Sequence, residues 1–332
     1  MKEIRTVLIA GAGAVGAAVA SIIHAKMPGA VSVLAEGDRL ARYRREGFIV
    51  NGARFDFPLV DAAQKAAQGA ALTATRKPGG AYADLVIVAV KHHHLQATIE
   101  QLRGHVGPET SILSLLNGIE SEETLGASFG GGSGAPEGVS IPPYAMILGI
   151  DAVRVGNETR FASGGKIFFG ERINPAGERS ERVARIARFF DAAGVAYVIP
   201  EDMLRTLWYK FMINVGINQV SAVLRAPYGV FQRSPEAGAA MEAPMREVIA
   251  VARALGIGLE DADLGRWKET LATLHPDNLT SMCQDVLAKR KTEVEMFAGK
   301  VVELGKKHGV PTPANEMLFD LLKAAEAAYG AV

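Results

Sequence analysis

Apolar and polar positions follow two different rhythms along this chain. Up to about residue 200, short, mainly apolar runs at 4–10, 31–35, 85–90 and 111–116 are separated by helix-like stretches, the clearest being the alanine-rich 14–26. Apolar strands without polar alternation, spaced by helices, predict a parallel sheet covered on both faces. Residues 144–170 break instead into short strands of antiparallel character ending in Lys166-Ile-Phe-Phe-Gly170, and a helix at 178–193 and a strand at 195–199 follow. From Glu201 onward the period is almost purely helical. The predicted helices are 201–224, 235–255, 259–274, 282–308 and 315–329, punctuated by Gly256, Gly258, Pro276, Gly309, Pro311 and Pro313. A chain of 332 residues exceeds what one core usually supports, so the change of rhythm marks two domains, 1–200 and 201–332.

One helical segment stands apart. In Trp208-Tyr-Lys210-Phe-Met-Ile-Asn214-Val-Gly-Ile-Asn218, a lysine and two carboxamides recur every four residues within an apolar run. Four residues of α-helix overshoot a full turn by about 40°, so Lys210, Asn214 and Asn218 share one face. Trp208, Phe211, Met212, Ile213, Val215, Ile217 and Val220 surround them and are expected to be buried. A polar stripe on a buried helix is costly unless a partner segment or a polar ligand meets it.

Composition narrows the setting. Apolar content of 48% and charged content of 22% are those of a soluble globular protein. Lys+Arg and Asp+Glu both number 36, a balance that favours neither nucleic acid nor an anionic membrane. The lone Cys283 excludes an internal disulfide and a cysteine-built zinc site, and fits a reducing cytoplasm. Residues 6–23 lack acidic and basic side chains and follow Lys2 and Arg5, in the manner of a signal peptide or short anchor. Gly11, Gly13 and Gly16 interrupt that run at the spacing of a nucleotide-binding turn, so the expected location is cytoplasmic. Residues 128–140 contain Gly130, Gly131, Gly132 and Gly134 without the Lys-Ser/Thr ending of a P-loop, and read as a flexible surface connection.

Gly11-Ala-Gly13-Ala-Val-Gly16 follows the first strand and opens the first helix, the context in which this spacing signals a dinucleotide. Gly11 permits the tight turn, Gly13 lets the backbone approach a pyrophosphate, and Gly16 lets helix pack on strand. The backbone of Gly11, Gly13, Ala14, Val15 and Gly16 then offers N–H groups at a helix N-terminus. The expected first domain is therefore an α/β, Rossmann-type dinucleotide-binding fold, followed by an all-helical C-terminal domain. Glu36 lies twenty positions after Gly16 at the end of the second strand, placed to accept from the adenosine ribose hydroxyls and to repel a 2′-phosphate. It points to NADH, although it also reads as a helix-start carboxylate, and Arg39 and Arg42 nearby suit NADPH. Lys91 and Asn117-Gly118 lie beyond the carboxyl ends of the next two strands, where open α/β sheets bind ligands. His92, His93 and His94 are consecutive, point in different directions and lack a carboxylate-rich motif, so no metal site is expected.

Taken together, GAGAVG, VAVKHHH, LLNGIESEETL, KIFFGE, WYKFMINVGINQVSA and the run from LTSMCQD to HGVPTPAN resemble the 2-dehydropantoate 2-reductase, or ketopantoate reductase, family nearly end to end. The resemblance implies a dinucleotide-binding domain followed by a helical domain, an active site in the cleft between them, and reduction of ketopantoate in pantothenate synthesis, generally with NADPH. It implies Lys210 as general acid, with Glu293 beside it near the nicotinamide ribose. Asn117, Asn214, Asn218 and Ser281 are implied as substrate-facing, and Lys91 as lining the cofactor side together with Asn117. This chain departs from that pattern at Glu36, where arginine usually meets the 2′-phosphate, and at Tyr228, where some members carry asparagine after the proline at 227. The histidines at 92–94 are also unusual there.

Hydride addition to a ketone leaves negative charge on oxygen, which a positioned acid must meet. A lysine serves if desolvation lowers its pKa from about 10.4 while a carboxylate orients it. Lys210 also reads simply as a buried lysine held by a structural carboxylate, Ser281 as a helix N-cap, and Glu293 as a surface partner of Lys289 one turn earlier. Glu295 competes with Glu293, pointing about 160° away on an ideal helix. The expectation is NAD(P)H-dependent reduction of a small 2-oxo acid, ketopantoate first. The alternatives are an NADH-dependent reductase of another 2-oxo acid or imine, and a non-catalytic nucleotide sensor. The long carboxy-terminal helices offer a surface for a homodimer, and neither nucleic acid nor membrane is an expected partner.

Overall fold

The computed structural model describes residues 2–64, 82–130 and 143–330. Most of the glycine-rich connection expected at 128–140 lies outside the described residues. The chain divides into two compact units, Met1–Met203 and Leu204–Val332.

The first unit is built on a five-stranded sheet of order β5-β2-β1-β6-β7, every neighbouring pair parallel: β1 Val7–Ala10, β2 Val31–Ala35, β5 Leu59–Asp61, β6 Leu85–Val88 and β7 Ser111–Ser114. Successive residues of a strand point to opposite faces, and here each face has its own core. Val7, Ile9, Val33 and Ile87 pack with α1 (Ala14–Lys26) and α5 (Glu181–Ala193), whereas Leu8, Val86, Val88 and Ile112 pack with α3 (Leu95–Leu102) and α4 (Ser121–Phe129). Burial on both faces is the reason these runs carry no polar alternation. The helices α1 and α5 and the strand β2 follow the apolar pattern closely.

The segment between β2 and β6 is different. It holds α2 (Gly37–Glu46), dominated by charged residues, and the three-residue strands β3 (Phe48–Val50) and β4 (Ala53–Phe55), too short to show a period. Residues 144–170 form β8 (Tyr144–Ile150), β9 (Val153–Val155), β10 (Glu158–Arg160) and β11 (Gly164–Gly170). β8 pairs antiparallel with β11, and β12 (Tyr197–Val198) adds to β11 in parallel. The β9–β10 hairpin leaves that group. It joins β3 and β4 in a second sheet, with β10 parallel to β3, so the antiparallel expectation holds only in part.

The second unit is helical. α6 (Met203–Ile213) runs through a π turn at Asn214–Asn218 into α7 (Gln219–Leu224), then come α8 (Tyr228–Arg233), α9 (Pro235–Ala254), α10 (Ala262–Thr273) and α11 (Ser281–Leu287). A second π turn at Glu295–Gly299 leads into α12 (Lys300–His308), and α13 (Pro313–Ala327) closes the unit. The long helix expected at 282–308 is therefore broken. Lys289 takes φ 51°, a left-handed conformation that ends a helix, and Arg290 bonds back to the Asp285 carbonyl through its N–H (2.8 Å) and to the Asp285 carboxylate through Nε (2.9 Å). Among the described residues, no helix is long and apolar enough to cross a membrane.

Candidate active site

The carboxyl ends of the central strands bring four of the expected residues to one edge of the sheet. Ala10 pairs with Leu34 and Val88, and Val88 pairs with Ser114, so the strand ends stand level. Lys91 and Asn117 each lie three residues past those partners (91 − 88 and 117 − 114), both partly buried. Gly11 has φ 100°, and a Cβ there would stand 2.5 Å from Val90 Cγ1 and 2.7 Å from the Ala89 carbonyl. At Gly16 a Cβ would run into the Gly11 carbonyl, the close helix–strand approach the motif requires. Gly13 is the opposite case: a Cβ built there meets nothing within 4 Å, and Gly13 is the N-cap of α1 with no side-chain cap. This glycine guards open space over a helix N-terminus, which suits a pyrophosphate.

Glu36 directly follows β2 and is exposed at the N-cap of α2, but its carboxylate makes no capping bond. Gln101 from α3 donates to its Oε1 instead, at 2.6 Å. The loops after β6 and β7 approach one another where His92 Nε2 stands 3.8 Å from Glu120 Oε2. Just beyond Asn117, Glu122 is buried at the start of α4, accepting from Ser121 Oγ (3.0 Å) and the Ala145 N–H (3.2 Å). Burial pushes its carboxyl up to about 7.

In the second unit the polar stripe is buried as its setting demands. Lys210 is 8% exposed and Asn218 7%, while Asn214 is partly buried. Trp208, Phe211, Met212, Val215, Ile217 and Val220 are buried around them; Ile213 is not fully so. The π turn changes the stripe's geometry. An i→i+5 turn holds more residues than an α turn, so four residues fall short of the full circle they overshoot in α-helix. The drift from Lys210 to Asn214 is thus opposed by the drift from Asn214 to Asn218. Asn218 Nδ2 donates to Asn214 Oδ1 at 3.3 Å, leaving an amide N–H pair and a carbonyl oxygen to offer a polar ligand. Gly216 inside this turn admits α9: a Cβ there would meet Met245 Cγ at 2.5 Å.

Two family descriptions match the chain: ketopantoate reductase PanE/ApbA over residues 7–172 and its C-terminal part over residues 202–326. The chain belongs to the ketopantoate reductase family. A 2-dehydropantoate 2-reductase of Pyrobaculum aerophilum is 30% identical over 254 residues, covering 75% of this chain and 80% of the relative. That of Pyrococcus horikoshii is 25% identical over 98% of both chains. Among solved structures, a PanE/ApbA family ketopantoate reductase from Ralstonia eutropha superposes with TM-score 0.76 at 26% identity, covering 98% of this chain and 99% of that one. A D-mandelate dehydrogenase solved with NADH and anilino(oxo)acetate superposes with TM-score 0.80 at 20% identity and the same coverage. The parallel sheet with its helices and the helical C-terminal domain are the fold of this oxidoreductase family, whose cofactor is a nicotinamide dinucleotide.

Two of the alternative readings do not hold. Ser281 is not an N-cap: Thr280 holds that position, its Oγ1 accepting from the Cys283 N–H at 3.2 Å, and Ser281 is the exposed first residue of α11. Glu293 is not on a helix with Lys289, because the chain between α11 and the second π turn is irregular; it is 6% exposed. The competing Glu295 is engaged elsewhere, with Lys323 Nζ at 2.7 Å and Lys291 Nζ at 3.6 Å. Two residues at the glycine turn were not foreseen. Tyr43 Oη and Arg154 Nη1 both donate to the Ala12 carbonyl, at 3.3 and 2.5 Å. Arg154 comes from β9, 142 residues along the chain, and no sequence spacing signals such a contact.

Proposed function

We propose that this chain reduces the 2-oxo group of a small 2-oxo acid, ketopantoate first, with Lys210 as the proton donor. The observation that carries the reading is a buried lysine in line with two mutually bonded carboxamides on a π turn, in a chain whose other unit presents an open glycine turn. The cofactor, when bound, supplies the hydride. Gly11, Gly13, Ala14, Val15 and Gly16 would hold its pyrophosphate through backbone N–H groups, with Glu36 at the ribose and Lys91 and Asn117 on the nicotinamide side. Negative charge developing on the ketone oxygen draws a proton from Lys210 Nζ, and Glu293 keeps that ammonium oriented. Asn117, Asn214, Asn218 and Ser281 orient the substrate, each carboxamide offering donor and acceptor to a hydroxy-keto acid. The expected product is pantoate, placing the enzyme in pantothenate synthesis. Steady-state kinetics with ketopantoate, comparing NADH with NADPH, test this directly. Indifference to ketopantoate would sink it.

A second reading has a specific observation behind it. Glu36, fixed by Gln101, opposes a 2′-phosphate, and the fold is shared with a D-mandelate dehydrogenase solved with NADH. Tyr228, half-buried at the start of α8 and bonded through its N–H to the Asn278 carbonyl, stands where some family members carry asparagine. An NADH-dependent reductase of a different 2-oxo acid follows from these, and a keto-acid panel assayed with both cofactors separates the two.

A further inference from the structure

A polar side chain with no exposed surface stands where the two π turns of the helical unit meet. Gln219 directly follows Asn218 and is 0% exposed. Its Nε2 donates to the Val215 carbonyl inside the first π turn at 2.7 Å, and its Oε1 accepts from the Ala298 N–H inside the second at 3.1 Å. The same Nε2 lies 3.5 Å from Asn315 Oδ1. Asn315, also 0% exposed, donates through Nδ2 to Glu247 Oε2 at 2.7 Å, and Glu247 accepts the Ala314 and Asn315 N–H groups at 2.7 and 3.0 Å. The network thus runs from the start of α13 to both π turns. Phe211 and Phe297 add an apolar contact between the same two segments, their ring centroids 6.3 Å apart.

A fully bonded buried network specifies one geometry, whereas an apolar residue of equal volume would fill the space without fixing it. What Gln219 fixes is functionally placed. On one side is the helix that carries Lys210, Asn214 and Asn218. On the other is the turn whose first N–H groups, those of Met296 and Phe297, bond to the Glu293 carbonyl at 3.1 Å each. We propose that Gln219 is a positioning residue that locks the Lys210 helix to the Glu293 turn and so holds the proton donor in register with its orienting carboxylate. This rests on Lys210 being the proton donor. Misplacement of a reacting group by about 1 Å costs on the order of 100-fold in rate, so a loosened clamp is read in kcat before it is read in binding.

The experiment compares the full-length protein with Gln219→Met and Gln219→Glu. Gln219→Met is expected to lower kcat tenfold or more, leave the KM for the keto acid within threefold, and leave NAD(P)H binding unchanged by fluorescence titration. Amide hydrogen exchange of residues 294–299, read by mass spectrometry, is expected to quicken. Gln219→Glu is the conservative rescue, because a protonated carboxyl keeps one donor and one acceptor on the same skeleton. Its kcat relative to the parent is expected to recover as the pH is lowered, and it decides the matter if Gln219→Met does not fold. Parental kcat in a folded Gln219→Met, or no recovery in Gln219→Glu, overturns the proposal. The exchange measurement is independent of turnover. If Lys210→Ala retains full activity, the proton-donor reading fails by itself, and unchanged exchange at 294–299 overturns the clamp by itself.

Discussion

The glycine turn and the π-turn stripe solve opposite problems. At Gly13 the chain withholds a side chain and leaves open space over a helix N-terminus, which the proposed reading gives to a pyrophosphate. At Lys210, Asn214 and Asn218 it commits polar side chains to an apolar interior, and the proposed reading makes them the substrate's partners. The first device is local, set by six consecutive positions and one close helix–strand contact. The second is distributed, because the stripe's geometry depends on a π turn, on Gly216 against α9, and on Gln219 reaching Ala298. A site of the first kind leans on few distant groups, Arg154 at the Ala12 carbonyl among them; one of the second kind is built from them.

The sharpest break of this contrast is Lys210→Ala. It is expected to lower kcat by about 10²–10⁴-fold while NAD(P)H affinity, measured by fluorescence, stays at the parental value. Parental turnover would place the acid elsewhere. The sheet edge has its own committed side chain in Glu122. Because burial raises its carboxyl from 4.5 to about 7, folding favours the protonated form. That contribution is complete below the ordinary carboxylate range and is lost as the pH rises through about 7, a change of about 3 kcal/mol. Thermal melts from acid to neutral pH are expected to fall more steeply for the parent than for Glu122→Gln, and parallel slopes would show the carboxyl to be ordinary.

Two glycine substitutions sharpen the comparison further. Gly16→Ala is expected to lower the melting temperature by several degrees, since its methyl group collides with the Gly11 carbonyl. Gly13→Ala is expected to melt within a degree or two of the parent yet bind dinucleotide about tenfold more weakly, because the space it fills belongs to the ligand. Equal losses of stability in both would contradict the division of roles. The smallest effect concerns cofactor choice. Glu36→Ser, with Gln101 left unpaired, is expected to raise the NADPH-to-NADH ratio of kcat/KM by about tenfold, a difference of about 1.4 kcal/mol.

Legibility in the sequence followed the same divide. Strands buried on both faces and the glycine spacing are local patterns, and α1 and β2 follow the apolar rhythm to the residue. The stripe was visible as a period of four, but its π turn was not, since no residue in NVGIN marks an i→i+5 turn. The helix expected across 282–308 concealed a left-handed Lys289, a residue type that rarely adopts such a conformation and so gave no warning. Thr280 rather than Ser281 takes the cap, and two neighbouring hydroxyls that both cap well leave that choice open in sequence. β3, β4 and α2 escaped because three-residue strands and a mainly charged helix carry almost no apolar signal. β3 also pairs with β10, more than a hundred residues away.

The bond from Arg154 to the Ala12 carbonyl has a temporal consequence. The guanidinium that braces the glycine turn is synthesised 142 residues after it. At roughly 5–20 residues per second, that interval is about 7–28 s. Through it the nascent turn has its glycines and lacks one of its two braces. A ribosome-stalled chain ending before β9 should therefore capture dinucleotide more weakly than one extended past β10, making cofactor affinity a clock for assembly of the accessory sheet.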